Sequence, residues 1–307
     1  MDEYRTDTRR IDAVLPLTAA DAERFERLLL PSLQAFFAPL GTCWVVAPRA
    51  QLPRIAPRLR DRRCQLLAEE ELIPELDTYR QWLHRVGAAT GAGAGWFVQQ
   101  LVKLLAAGCV RTPFYLTLDA DVLCVRPVRS ADLIVDGRAL VYVHDDDAEP
   151  AWYRWAERAL GMPRSGRVHG VTPALLSAAA VQRLCYSLRS RADTERAATS
   201  CAAALLRRLP WTEYALYHTF LEHTGLFDRY HVATRDRPLY GNCGWYAADF
   251  DRWDPAASFA PDAPHCFSVV QSRAGIPVDV VAARVAPYLP APQEHPVRPI
   301  APAAGGT

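Results

Sequence analysis

The chain has 307 residues, half of them hydrophobic, enough for the core of one large α/β domain or two small ones. Its 35 basic and 34 acidic residues nearly cancel, whereas a nucleic-acid binder would carry a net basic face. No run of about 18 apolar residues predicts a transmembrane helix. The charged stretch Met1–Arg10 is not followed by the apolar segment of a secretory signal. The eight cysteines (Cys43, Cys64, Cys109, Cys124, Cys185, Cys201, Cys243 and Cys266) form no Cys-x-x-Cys and sit mostly in apolar surroundings. They are expected to be reduced thiols in a cytoplasmic protein, or one peripheral to a membrane, not a disulfide framework or a zinc site.

In chain order, Ala13–Leu17 predicts a short apolar strand. Thr18 and Asp21 then form a capping arrangement for a helix whose apolar positions Ala22, Phe25, Leu29, Leu33 and Phe36 recur at helical spacing. Pro31 is expected to kink or divide it. Cys43–Ala47, closed by Pro48, predicts a second strand, and strand, helix, strand at this spacing opens an α/β fold. Gln65–Leu67 predicts a third strand and Leu72–Val86 a helix. The stretch Gly91-Ala-Gly-Ala-Gly95 carries Trp96 where a dinucleotide fingerprint has its last glycine, so it reads as a loop.

The predicted helix Trp96–Ala107 buries Phe97, Leu101, Leu104 and Leu105, and Gly108 stops it. Gln99, Gln100 and Lys103 share a polar edge through their three- and four-residue spacing. A lysine on such an edge is ordinarily solvated. This one stands a short turn ahead of the next strand, where it can reach a carboxylate or a phosphate.

That strand delivers the motif around which the chain is organised. Phe114, Leu116 and Leu118 alternate with Tyr115 and Thr117, and the run ends in Asp119-Ala-Asp121. Residues two apart in an extended backbone point the same way, so both carboxylates face one point. Such a pair repels itself unless a cation or a proton lies between. Val122–Val125 is apolar again, so the pair interrupts a buried run. A divalent ion, Mg²⁺ or Mn²⁺, shared with a substrate's phosphates is the economical explanation.

Ala139–Val143 predicts a further strand ending in His144-Asp-Asp-Asp147, a second Asp-x-Asp that reads as a solvated turn before a Trp152/Trp155 helix. A third, Asp249-Phe-Asp251, lies in an aromatic loop with no strand in front. Thr172 and Pro173 read as the start of a helix over Ala174–Leu188, followed by an Arg- and Ala-rich solvated helix to Arg208. His169 is a candidate pocket residue, although a lone histidine is ordinarily structural. Thr212 caps a helix whose first turn holds Glu213, either as a partner for the helix dipole or as a carboxylate presented to an acceptor hydroxyl. His218 and Glu222, four apart on that helix, have no third zinc ligand. Gly241–Tyr246 is a glycine-rich loop whose aromatic rings, Trp245 among them, suit sugar faces. Pro264–Gln271 predicts a strand opened by His265, Ile276–Leu289 a last helix, and 290–307 a disordered tail.

Tyr115-Leu-Thr-Leu-Asp-Ala-Asp-Val-Leu-Cys-Val-Arg-Pro127 resembles the Asp-x-Asp strand end of the GT-A glycosyltransferases, close to bacterial members, and Trp96–Lys103 resembles the helix before it. The resemblance covers Trp96–Pro127. It implies an α/β, GT-A-like single domain over 1–289, a Rossmann-type mixed sheet flanked by helices, with a nucleotide-sugar half (11–127) and an acceptor half (128–289). The implied activity is metal-dependent transfer of a sugar from a nucleotide diphosphate, foremost a UDP-sugar, to a hydroxyl-bearing acceptor, with the base near Pro16–Thr18. By the same resemblance Asp119 and Asp121 hold Mn²⁺ or Mg²⁺, and His265 is the candidate for the C-terminal histidine that completes many such sites. Lys103, Gln100, Asp119 and Trp245 are the expected donor-site residues. Glu213 and Asp121 are the expected catalytic residues: Glu213 as base if the reaction inverts, or orienting the acceptor if it retains, with Trp211 stacking on the sugar.

Three rivals stand beside this reading. A nucleotidyltransferase would want a Gly-rich, basic phosphate loop after the first strand, where Leu15-Pro-Leu-Thr18 stands. A magnesium-dependent phosphatase would want its nucleophilic Asp there. A binding protein that keeps the fold without turnover would need none of this chemistry.

Overall fold

Burial of both faces of a strand demands a continuous apolar run, and Ile11–Pro16 is such a run, buried throughout around the polar Asp12. The Asp12 carboxylate is satisfied by backbone: Oδ1 accepts from the Thr42 N–H and Oδ2 from the Arg111 N–H, each at 2.8 Å. This strand is the centre of the main sheet in a computed structural model that describes residues 10–145, 151–164, 166–190, 200–236, 239–241 and 243–289.

In chain order the strands are β1 (Ile11–Pro16), β2 (Leu40–Ala47), β3 (Cys64–Ala68), β4 (Phe114–Thr117), β5 (Val122–Cys124), β6 (Ile134–Val135), β7 (Arg138–Asp145), β8 (Arg167–His169), β9 (Ala174–Ser177), β10 (His231–Thr234) and β11 (Phe267–Val269). The main sheet has the order β3-β2-β1-β4-β9. Its first four strands are parallel, and β9 closes it antiparallel to β4 with Phe114 opposite Ser177. A smaller sheet has the order β10-β7-β6 with β8 also on β7, and β11 pairs antiparallel with β5. Helices such as Leu76–Thr90, Ala94–Leu105, Ala178–Ser190 and Glu213–His223 flank them, so the chain is α/β with a mixed sheet.

Several local expectations are corrected. Pro31 does not divide the first helix: a wide π turn over Phe25–Leu29 precedes it, and helix resumes at Leu30–Phe36. The wide turn accommodates a residue that has no N–H to close an ordinary one. Pro74 separates a single turn at Glu69–Leu72 from the helix Leu76–Thr90, which starts later than the apolar spacing predicts. Ala174–Ser177, expected as helix, is β9, because it completes the edge of the sheet beside β4; helix follows only at Ala178–Ser190. The Arg- and Ala-rich stretch is not simply solvated, since Ala202–Leu206 in the helix Cys201–Leu206 is buried. Cys201 is disulfide-bonded to Cys185, with Cα atoms 5.2 Å apart, so two of the eight cysteines are not the reduced thiols expected.

Among the described residues no helix is long and apolar enough to cross a membrane. Residues 146–150 and 290–307, and with them Asp147 of the second Asp-x-Asp and the expected tail, lie outside the described residues.

Candidate active site

From β1 the main sheet grows one way through β2 and β3 and the other way through β4 and β9. Strand order therefore reverses between β1 and β4, and the crevice beyond the carboxyl ends of the strands at such a reversal is the natural ligand position in an open α/β sheet. A cleft of about 610 Å³ lies there. Pro16 lines it from the end of β1, Asp21 from the start of the helix that follows, and Asp119 to Asp121 from the end of β4. Trp96, Gln99, Gln100 and Lys103 enter from the helix Ala94–Leu105. Trp152, Val171 and Trp245 also line it, as do Gln271, Ser272 and Arg273 beyond β11.

Lys103 is the hub. It is buried rather than on a solvated edge, and its ammonium reaches Asp119 Oδ1 at 2.9 Å, Glu213 Oε1 at 3.1 Å and Thr172 Oγ1 at 2.9 Å. Three partners use all three N–H bonds of an ammonium. Burial works against its charge, but Asp119 foremost, then Tyr214 and Glu213, hold its pKa well above the ordinary lysine value. Thr117 Oγ1 donates to the Ala174 carbonyl, and the Tyr214 hydroxyl lies 2.7 Å from both Thr117 and Thr172. With the lysine donating to Thr172, the hydroxyl protons run one way: Thr172 to Tyr214, Tyr214 to Thr117, Thr117 to Ala174. Burial raises the Tyr214 pKa, which keeps that phenol protonated.

Glu213 opens the helix Glu213–His223, and its backbone N–H donates to Gln100 Oε1 at 3.3 Å. Its carboxylate is buried, and burial raises its pKa against the opposing pull of Lys103. The shared edge of Gln100 and Lys103, legible from their spacing, thus meets the first residue of a helix more than a hundred positions later.

The two acids differ. The Asp119 side chain is 37% exposed and tied to Lys103. Asp121 is buried, and its Oδ2 accepts from the Ser272 N–H at 2.8 Å. Burial foremost, then the charge of Asp119, raises the Asp121 pKa. A divalent cation fits this donor set: two hard carboxylates, one paying for a charge that a cation would neutralise. Among the described residues no group of three or more His, Cys, Asp or Glu side chains could hold a metal. A cation here would draw two carboxylates from the protein, and substrate or water oxygens would have to complete the shell.

Other expected residues fall elsewhere. The antiparallel register sets Val269 opposite Val122 and Phe267 opposite Cys124, so the residues after β11 meet Asp121, and His265 lies at the far end. Its backbone carbonyl accepts from Arg126 Nε, five positions and roughly 15 Å of strand from Asp121. His265 packs instead against Gly241, where an added Cβ would come within 2.9 Å of its Nδ1; the close approach that this glycine permits is to a protein side chain. Trp211 is fully buried, its Nε1 donating to the Leu205 carbonyl, and cannot stack on a ligand. His169 touches the cleft, but it is held by Tyr153 and Glu222 and stacked 4.1 Å from His218. Asp249 accepts from the Tyr246 N–H at the start of a short helix and pairs with Arg252, away from the cleft.

Residues that sequence reasoning did not bring to the site include Asp21, Thr172 as a lysine partner, Ser272 and Arg273. Nothing local marks them, because their roles depend on sheet register.

The model of the family of unknown function DUF6492 matches residues 8–293. The chain belongs to that family. No curated protein matches the sequence. Among solved structures it is similar to mouse xyloside xylosyltransferase 1 in its apo form, at 12% identity and a TM-score of 0.47, over 87% of this chain and all of that one.

Proposed function

We propose that this protein is a metal-dependent glycosyltransferase of GT-A type that moves a sugar from a nucleotide diphosphate, foremost a UDP-sugar, to a hydroxyl-bearing acceptor. The observation that carries the reading is the Asp119/Asp121 pair at the strand-order reversal, with Lys103 committed to one of its members. Residues 11–127 supply the nucleotide-sugar half, where Pro16 and Asp21 border the cleft, and residues 128–289 supply the acceptor half, where Trp152 and Val171 line it, and also lend Trp245 to the donor site. Asp119 and Asp121 would hold Mg²⁺ or Mn²⁺, which when bound neutralises negative charge on a leaving diphosphate. Lys103 keeps Asp119 in place, and Gln100 fixes the start of the Glu213 helix. Trp245 offers a ring to the bound substrate.

Glu213 is the proton acceptor for an incoming hydroxyl if the anomeric centre inverts. Its burial-raised pKa suits it to take that proton, and the contact with Lys103 opposes that rise. If configuration is retained, Glu213 orients the acceptor. The test is release of nucleoside diphosphate from a panel of UDP-, GDP- and CDP-sugars with Mn²⁺ or Mg²⁺. Release from one of them by the wild type, lost in Asp121→Ala and on chelation, supports the reading. Release from none, or release indifferent to Asp121 and to metal, contradicts it.

A further inference from the structure

The cleft poses an electrostatic problem for the ligand just proposed. Asp21, Asp119, Asp121 and Glu213 all line it, and a diphosphate is itself an anion. Lys103, the buried cation among the lining residues, has its three N–H bonds engaged by Asp119, Glu213 and Thr172, so it has none left for phosphate oxygens. One other arginine or lysine lines the cleft among the described residues. Arg273 is exposed there and has no ion pair among the described residues.

The backbone around Arg273 is held as a fixed turn. Ser272–Ala274 is a single 3₁₀ turn closed by Gly275 in the left-handed region, at φ 74°. Buried Arg24 grips both ends of the segment: Nη1 donates to the Val270 carbonyl at 3.3 Å and Nη2 to the Ile276 carbonyl at 2.9 Å. Between them the Ser272 N–H binds Asp121 Oδ2, which places Arg273 one residue from a direct contact with the acid pair. A mobile loop would spend ordering entropy to present a cation, and this turn has spent it on folding.

We propose that Arg273 is the phosphate-binding residue of the donor site, its guanidinium gripping the oxygens of the nucleotide diphosphate, with Arg24 as the positioning residue that holds its turn. An arginine fork matches phosphate oxygens in a way that a point charge does not. The proposal rests on the donor reading above, and the experiment separates their failures.

Calorimetric affinities of UDP, GDP and CDP, and of the matching nucleosides, are measured with Mn²⁺ for the wild type, Arg273→Gln and Arg273→Lys. Arg273 is exposed, so neither substitution disturbs the core. The expected result is diphosphate binding weakened about 10- to 100-fold in Arg273→Gln, the loss expected for charge-assisted hydrogen bonds, with only part recovered in Arg273→Lys. Nucleoside affinity stays unchanged. Wild-type diphosphate affinity that persists in Arg273→Gln overturns the role of Arg273 and leaves the donor reading standing. Equal losses for nucleoside and diphosphate overturn the phosphate assignment. If no nucleotide binds the wild type, the donor reading falls and this inference with it. Arg24→Met is the second variant: it should lower diphosphate affinity with Arg273 still present, and it overturns the positioning role if a protein of native circular dichroism binds as the wild type does.

Discussion

The chain carries the same three-residue pattern in two described places, and they have nothing structural in common. Asp119 and Asp121 leave the end of a buried parallel strand, where strand order reverses, and one of them is buried with its pKa raised. Asp249 and Asp251 belong to a short surface helix, where Asp249 meets the Tyr246 N–H and pairs with Arg252 at 2.9 Å. In the first place the carboxylates are an electrostatic cost that a ligand can relieve; in the second they are already satisfied by solvent, a backbone amide and an arginine. Spacing alone does not give an acid pair its chemistry. The burial and the strand beneath it do.

The sharpest way to break this comparison is to remove one acid from each pair. Asp121→Ala should weaken metal-dependent nucleotide binding by more than about 100-fold, since it removes one of the two carboxylates proposed to hold a metal whose charge stabilisation is worth several kcal/mol. Next comes the support of the first pair. Lys103→Met leaves Glu213 buried without its cation and should destabilise the fold by about 3–5 kcal/mol in urea unfolding. Adding Glu213→Gln to it should recover part of that loss, because the two sites share one interaction.

The pH response sharpens the comparison further. The raised pKa of Asp121 means that the folded chain binds its proton more tightly than the unfolded chain does. The fold therefore loses stability from this group as pH rises from the ordinary carboxylate value to the raised one, and Asp121→Asn should raise the metal-free Tm at neutral pH. Metal competes with the same proton, so Mn²⁺ affinity should begin to fall, on acidification, at a pH above the usual carboxylate range. A metal-free Tm unchanged in Asp121→Asn would contradict the burial cost. The smallest effect belongs to the second pair: Asp249→Ala should cost about 0.5–2 kcal/mol, as loss of a helix cap does, and leave nucleotide affinity unchanged.

Much of the site's frame was legible in the chain. β1, β2 and β4 read as apolar runs because central parallel strands are buried on both faces, and the acid pair stood out as a polar break in such a run. Lys103 and Gln100 were legible as one helical edge, although their burial was not, since it depends on the Glu213 helix packing over them. What could not be read was register and direction. The segment holding His265 reads as a strand from either end, and only its antiparallel pairing with β5 decides that Ser272, not His265, meets Asp121. Ala174–Ser177 after Thr172-Pro173 carries the local marks of a helix start, yet the open edge of β4 takes it as a strand. Trp211 looked like a sugar platform from its neighbours in sequence, while its environment is the core. Cys185 and Cys201 carry no sequence pattern that links them, and only the packing of two helices brings them together.

The central claim is that the Asp119/Asp121 cleft binds a nucleotide diphosphate through a divalent metal. The most direct test is calorimetric titration of UDP, GDP and CDP into the wild type and Asp121→Ala, each with and without Mn²⁺. The account predicts that one nucleotide binds the wild type, that its binding requires Mn²⁺, and that Asp121→Ala abolishes it. Binding of none under either condition, or binding that survives both metal removal and the substitution, would contradict it.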